Sequence, residues 1–411
     1  MSVPATRRKQ SPTPVAVYSR LRRWFGHNAR TLPWRGDTDP YRIWVSEVML
    51  VQTTVAVAVR RYPRFLRRFP TLAALAAAPL SQVMKEWEGL GYYHRARFLH
   101  QAARLMRDRH NGRFPSDYDL LRALPGVGDY VAASVSNFCF GARIPAVDAN
   151  VARVGARLLG LRGDVRSGSL RRKLREELAK LMNLGRGSLW TDGLIEIGAL
   201  VCTPRQPQCP SCPLKGDCVA YASDRVESYG LPVRRPSRRV VSVACGIVRR
   251  SDGRILIAQR PATGLLPGLW EFPGGKRDGN ESLADTCRRE IKEELGVTVA
   301  VDCRRFLIRH AYSHYAVRLS VFECRIRSGA PRALGCQQFR WVTPGTLTRY
   351  SFPSANRKIV ASIAVEENGR RRQRNISSAG TTRTRLGLHG SRSERYRLSS
   401  SRNARIETAG G

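Results

Sequence analysis

The chain has 411 residues, of which 71 are Lys or Arg and 32 Asp or Glu, giving a formal charge of +39. That length provides for two or three domains with ample buried core. The charge exceeds what solubility needs, so a polyanion is the expected partner, duplex DNA or RNA ahead of a ribosomal or membrane surface. No apolar run approaches a membrane span and no signal-peptide core opens the chain, so a soluble, intracellular (cytoplasmic, nucleoid-associated) protein is expected.

Residues 1–14 are polar and basic and read as a disordered arm. From 15 to 225 apolar residues recur at three- and four-residue intervals, as in Leu90, Phe98, Leu99, Leu105 and Met106, so an all-α domain is expected. Pro63, Pro70, Pro79, Pro115 and Pro125 are read as marking helix ends. Residues 226–239 are rich in Pro, Arg and Ser and read as a linker. Strands are expected at Val240–Val248 and Ile255–Ala258, around the Asp252-Gly253 turn, and at Val317–Cys324 and Phe339–Val342, with helices between. This makes 240–365 an α+β domain. Residues 366–411 are Arg- and Ser-rich and are expected to be a disordered basic tail.

Three local patterns carry chemistry. In Leu124-Pro125-Gly126-Val127-Gly128-Asp129-Tyr130, two glycines after a proline set a tight turn between helices. The helix expected over Asp129–Phe140 begins with free N–H groups, an anion site if a phosphate approaches; a hairpin whose glycines only set a turn is the alternative. Glu47 is the lone acid in the apolar run Trp44–Leu50. Buried there, it would hold a proton near neutrality; pairing with Arg42 or Arg35 is the other reading. Cys202, Cys209, Cys212 and Cys218, spaced C-x6-C-x2-C-x5-C within ten cysteines in all, suggest a thiolate metal site in a reducing compartment. Four-cysteine zinc sites commonly use two C-x2-C pairs. The compact loop suits a cubane cluster better, with a disulfide as the weaker alternative.

In the second domain, Gly275-x5-Glu281-x7-Arg289-Glu290-Ile291-Lys292-Glu293-Glu294-Leu295-Gly296-Val297 is a complete Nudix box. Glu290, Glu293 and Glu294 fall on one helix face and could hold Mg²⁺ against a diphosphate.

Glu47, the hairpin, Asp148 and the cysteine loop, in this order, resemble the helix-hairpin-helix base-excision glycosylases with an iron–sulfur loop. The blocks Ser46–Leu50 and Gly89-Leu90-Gly91-Tyr92-Tyr93, together with the appended Nudix domain, resemble the adenine DNA glycosylases of the MutY type within them. The resemblance covers roughly residues 18–365. It implies a monofunctional enzyme on double-stranded DNA that flips out adenine opposite 8-oxoguanine or guanine, carries a [4Fe–4S] cluster on Cys202, Cys209, Cys212 and Cys218, and works as a monomer. Relatives with lyase activity carry a Schiff-base lysine where this chain has Tyr130. By the same resemblance Glu47 protonates adenine N7, Asp148 stabilises the oxocarbenium-like sugar, and Tyr130 and Asn150 orient Asp148 and water. Gln52 and Tyr92 wedge into the base stack beside Thr53 and Leu90, while Gly126 and Gly128 bind the DNA backbone. Leu32, Trp34, Arg35, Val55, Asp192 and Ile195 line the adenine pocket, and Tyr312, Ser313 and His314 read the oxidised guanine. The chain departs from the family at Val51, which replaces a glutamine, at Ala149, and at Asp192, where a longer Glu or Gln is common. Two other functions are open: a Nudix pyrophosphohydrolase on oxidised nucleotides with a DNA-targeting domain, and a lesion-binding protein without catalysis.

Overall fold

The computed structural model describes residues 13–232, 239–312 and 315–382. The residues up to Val360 form one compact unit and those from Ala361 a second. The first begins with a helical array: α1 (Pro14–Asn28), α2 (Pro40–Leu50), α3 (Val55–Arg68), α4 (Leu72–Ala77), α5 (Leu80–Glu86), α6 (His94–Arg109), α7 (Tyr118–Arg122), α8 (Asp129–Cys139), α9 (Ala149–Leu159), α10 (Gly168–Leu181), α11 (Gly187–Leu200) and α12 (Val219–Ala222). An α+β region follows: β1 (Arg239–Arg249), β2 (Ile255–Gln259), β3 (Trp270–Glu271), β4 (Gly274–Lys276), α13 (Leu283–Leu295), β5 (Thr298–Ala311), β6 (Tyr315–Ser328), β7 (Gln338–Val342) and α14 (Ser354–Thr382).

Local chemistry sets the helices that matter. Pro40 opens α2 while Asp39 accepts from the Tyr41 N–H, a proline start with a side-chain cap. α8 begins directly after Gly128, and the turn before it needs Gly126 at φ +73. A Cβ on Gly126 would lie 2.5 Å from the Phe98 Cβ. α9 is capped by Asp148, which accepts from the Val151 N–H, and it ends on Gly160 at φ +67. α3 departs from expectation. Pro63 lies inside α3 rather than at its end. It removes a single N–H, and the buried stripe of Ala58, Tyr62 and Phe65 holds the helix across the gap, since tertiary packing supplies most helical stability.

The helical array has two cores. One gathers Trp44, Met49, Phe65, Trp87, Leu99 and Met106 between α2 and α8. The other joins α1 to α9, α10 and α11 through Leu21, Leu174, Leu178 and Trp190. Leu269, from the α+β region, is fully buried in the first. The sheet runs β3-β2-β1-β6-β5, with β4 on β1 and β7 on β2. β1 and β6 pair in parallel and the other pairs are antiparallel. α13 packs on one face through Cys287, Ile291 and Leu295. α14 runs on to Thr382, past residue 366, where the sequence suggests a disordered tail; no proline interrupts that stretch. Among the described residues, no helix is long and apolar enough to cross a membrane.

Candidate active site

A cavity of about 640 Å³ opens between α2, α8, α9 and α11. Glu47, Tyr130, Asp148 and Asn150 all line it, as do Leu32, Trp34, Arg35, Val55, Asp192 and Ile195, with Gln52 and Thr53 at its edge-forming loop. Residues far apart in sequence therefore meet at one concave surface.

Glu47 is 4% exposed. Its carboxyl is pushed up to about 7, chiefly by burial, with Asp192 and Asp148 adding to the rise and the Tyr130 and Ser134 hydroxyls opposing it. The pairing considered for it does not form: Arg42 bonds Asp37 at 3.0 Å, and Arg35 bonds Glu196 at 2.6 Å and Asp192 at 3.5 Å. Glu47 Oε2 has no hydrogen-bond partner among the described residues. The result is a desolvated acid with one unengaged oxygen in a cavity wall.

Asp148 is held differently. Its Oδ1 accepts from the Val151 N–H at 2.7 Å and its Oδ2 from Asn150 Nδ2 at 3.0 Å. Asn150 Oδ1 in turn accepts from Arg153 Nη2 at 2.8 Å. Asp148 keeps an edge open to the cavity, yet the surrounding protein desolvates it. Its pKa is raised by burial, while these N–H donors and Arg153 act against the rise. Burial also raises the Tyr130 phenol well above its usual range, with Glu47 adding to it.

Asp192 is pushed up to about 6 by burial and by Glu196, against the pull of Arg35. Glu196 is fully buried and takes both Arg30, at 2.8 and 3.1 Å, and Arg35.

The loops flanking the cavity carry the residues expected to enter DNA. Gln52 (φ +60) and Tyr92 (φ +45) both adopt left-handed backbone, which non-glycine residues rarely do away from functional sites. Leu90 is buried in the core, and its carbonyl, rather than an exposed side chain, ties the loops by accepting from Thr53 Oγ1 at 3.1 Å. A second cavity, of about 500 Å³, is lined by Leu90, Tyr92, His94, His310 and Tyr312, among others. Ser313 and His314 lie outside the described residues. Gly126 and Gly128 are exposed, and open space stands where a Gly128 side chain would be.

Cys202, Cys209, Cys212 and Cys218 line a small cavity of about 30 Å³ and form no disulfide. Arg157 Nη1 donates to Cys202 Sγ at 3.3 Å. Burial raises the thiols of Cys209, Cys212 and Cys218. Among the described residues no three His, Cys, Asp or Glu side chains gather as a site for one ion.

In the Nudix box, Arg289 bridges Glu281 at 2.8 Å, Glu290 at 3.1 Å and Glu293 at 3.1 Å. Glu294 Oε2 accepts from the Gly274 N–H at 3.1 Å, and burial, then Glu271, pushes its pKa up to about 8. As folded, each of these carboxylates is engaged by a protein donor.

Residues 45–182 match the HhH-GPD superfamily of base excision DNA repair proteins, and residues 244–362 match the NUDIX domain. The adenine DNA glycosylase of Mycobacterium tuberculosis is 37% identical over 269 residues, covering 65% of this chain and 84% of that protein. That of Buchnera aphidicola is 33% identical over 264 residues, 64% of this chain and 74% of its own. The chain belongs to the adenine DNA glycosylase family. Similarity also spans the human adenine DNA glycosylase, at 29% identity over 402 residues, 84% of this chain and 73% of the human protein. The protein is thus a DNA-binding glycosylase of base excision repair, a helix-hairpin-helix domain followed by a Nudix domain.

Sequence reasoning missed several members of the glycosylase cavity. Glu196, like Glu47, is an acid in a largely apolar helix (here with Asp192 one turn before it), and only the fold shows that Glu196 is paired with Arg30 and Arg35. Arg30 gave no signal beyond its charge, while Arg35, expected in the adenine pocket, does line the cavity but pairs with Glu196 and Asp192 rather than Glu47.

Proposed function

We propose that this glycosylase removes adenine mispaired with 8-oxoguanine, or with guanine, in duplex DNA by hydrolysis without strand cleavage. One observation carries the reading: Glu47 is a buried, unpaired carboxyl near pKa 7 with a free oxygen, in the same cavity as a hydrogen-bonded Asp148. Two carboxyls of one site are set up for different tasks by their surroundings.

In this mechanism adenine leaves the stack and enters the cavity. The protonated Glu47 donates to N7, which makes the base a better leaving group. Positive charge then grows on the sugar. Asp148, oriented by the Val151 N–H and by Asn150, supplies negative charge beside it. Tyr130 faces both carboxyls and fixes Glu47. With its phenol raised by burial, Tyr130 offers no amine for a Schiff base. Tyr312, with Ser313 and His314, reads the lesion from the Nudix side.

The four thiols fit a [4Fe–4S] cluster better than zinc. They line one cavity, a cubane takes each thiolate on a different iron, and four-cysteine zinc sites commonly use two C-x2-C pairs where this loop has one. Cys202, Cys209, Cys212 and Cys218 would hold it. Bound there, the cluster cross-links the 202–218 loop and adds stability rather than a reacting group.

The test is a duplex with one adenine opposite 8-oxoguanine, incubated with the protein and split into alkali-treated and untreated samples. Strand cleavage only after alkali supports the reading. Cleavage without alkali reveals a lyase nucleophile, and no cleavage in either sample overturns adenine removal.

A further inference from the structure

The two loops expected to enter DNA meet at one buried guanidinium. Arg95 is 6% exposed. Its Nη1 donates to the Val48 and Met49 carbonyls at 2.8 and 2.9 Å. Its Nη2 donates to Thr53 Oγ1 at 2.9 Å and to the Leu90 and Gly91 carbonyls at 2.9 and 3.2 Å.

The first pair completes the end of α2. A helix leaves its last carbonyls without intrahelical partners. Here the Glu47 carbonyl receives the Val51 N–H and the Leu50 carbonyl receives the Thr53 N–H, while those of Val48 and Met49 go to Arg95. The second set belongs to the loops of Gln52 and Tyr92. The flat face of the guanidinium lies over Trp87 at 5.2 Å and over the Tyr92 ring at 5.6 Å. No carboxylate pairs with Arg95 among the described residues; its two Nη groups go to main-chain and hydroxyl acceptors, while its Nε has no partner among those residues. Only a planar fork serves so many acceptors at once.

We propose that Arg95 is a positioning residue for base unstacking: it locks the Gln52 and Tyr92 loops to each other and to the end of the helix that carries Glu47, so that both side chains enter the duplex as one rigid wedge in register with the acid. The proposal rests on the reading that Gln52 and Tyr92 enter the stack. Because the loops are tied before DNA arrives, binding need not order them, and their left-handed backbone is held in the free protein.

The experiment measures single-turnover adenine release from two duplexes by the full-length protein. In one, adenine is stacked opposite 8-oxoguanine; in the other it is already unstacked, in a single-base bulge. Arg95→Met is compared with Arg95→Lys and with a Gln52→Ala/Tyr92→Ala double variant. Arg95→Met is expected to lose roughly a hundredfold on the stacked substrate, the order of a misplaced positioning group, and far less on the bulge. Arg95→Lys should fall between, and adding Arg95→Met to the double variant should cost little more. Equal loss on both substrates would make Arg95 a general prop of the fold and overturn the proposal. If Arg95→Met does not fold, Arg95→Lys carries the same comparison. A double variant that discriminates between the substrates while the Arg95 variants do not would defeat the proposal alone. A double variant that does not discriminate would remove the wedge reading and the proposal with it.

Discussion

Two glutamates in this chain have carboxyls raised by desolvation, the buried Glu47 to about 7 and the half-buried Glu294 to about 8, yet their surroundings differ. Glu47 has no ion pair, one oxygen without a partner and a cavity of about 640 Å³ in front of it. Glu294 is anchored to the Gly274 N–H, beside a box whose other glutamates share Arg289. Burial alone therefore does not make a catalytic acid. What separates the two sites is whether the proton has somewhere to go. Glu47 faces a cavity, whereas in the Nudix box Glu294 faces the Gly274 N–H and Arg289 holds Glu281, Glu290 and Glu293.

The sharpest way to break this contrast is chemical. Glu47→Gln should lower single-turnover adenine release by about a thousandfold, within the span of general-acid contributions. A variant that keeps its rate would remove Glu47 from the mechanism. The same acid predicts a pH profile: release by the parent should decline as pH rises through about 7, where Glu47 loses its proton.

Stability gives a second, smaller contrast. A Glu whose folded pKa is raised from 4.5 to about 7 favours the fold below its unfolded pKa, and that contribution is lost as pH rises through the folded value. Glu47→Gln removes the ionisation. The variant should thus be more stable than the parent by about 3 kcal/mol at pH 8, with most of the difference gone at pH 5. Denaturant titrations at the two pH values decide it; a difference independent of pH would mean that Glu47 does not titrate as described.

Gly275→Ala probes the Nudix box. Its Cβ would collide with the Glu290 carboxyl, the far end of a flexible side chain, so Glu290 must swing aside. A loss of about 1 kcal/mol is expected, the low end of overpacking costs, read as a lower unfolding midpoint. The smallest effect belongs to Glu293→Gln and Glu294→Gln. Adenine release should be nearly unchanged in both. Mg²⁺-dependent hydrolysis of an oxidised nucleoside triphosphate, lost in either variant, would instead show that the box opens and would reverse the contrast.

How much of this was legible in sequence follows the same physics. Cysteine spacing, the hairpin and the Nudix box are short-range patterns, and the chain displays them directly. Strands expected at Val240–Val248 and Ile255–Ala258 lie within β1 and β2, because β-branched runs around an Asp-Gly turn need little tertiary context. Pro63 misled because packing outweighs one missing hydrogen bond. The pairing of Glu196 could not be read from sequence, since it depends on Arg30 and Arg35, more than 160 residues away. Arg95 was invisible for a further reason: its partners are mainly carbonyls, and every residue has one.

Leu269 carries a last consequence. A Nudix-domain side chain completes the core of the helical domain, and Arg97 donates to the neighbouring Pro267 carbonyl at 2.7 Å. Cutting the chain between the domains would leave a hydrophobic hole in the helical half and a bare leucine on the other. The two halves are thus expected to lose structure in a single heat-absorption peak rather than two. What looks like a modular fusion of a glycosylase domain and a Nudix domain would then behave, thermally, as one indivisible body.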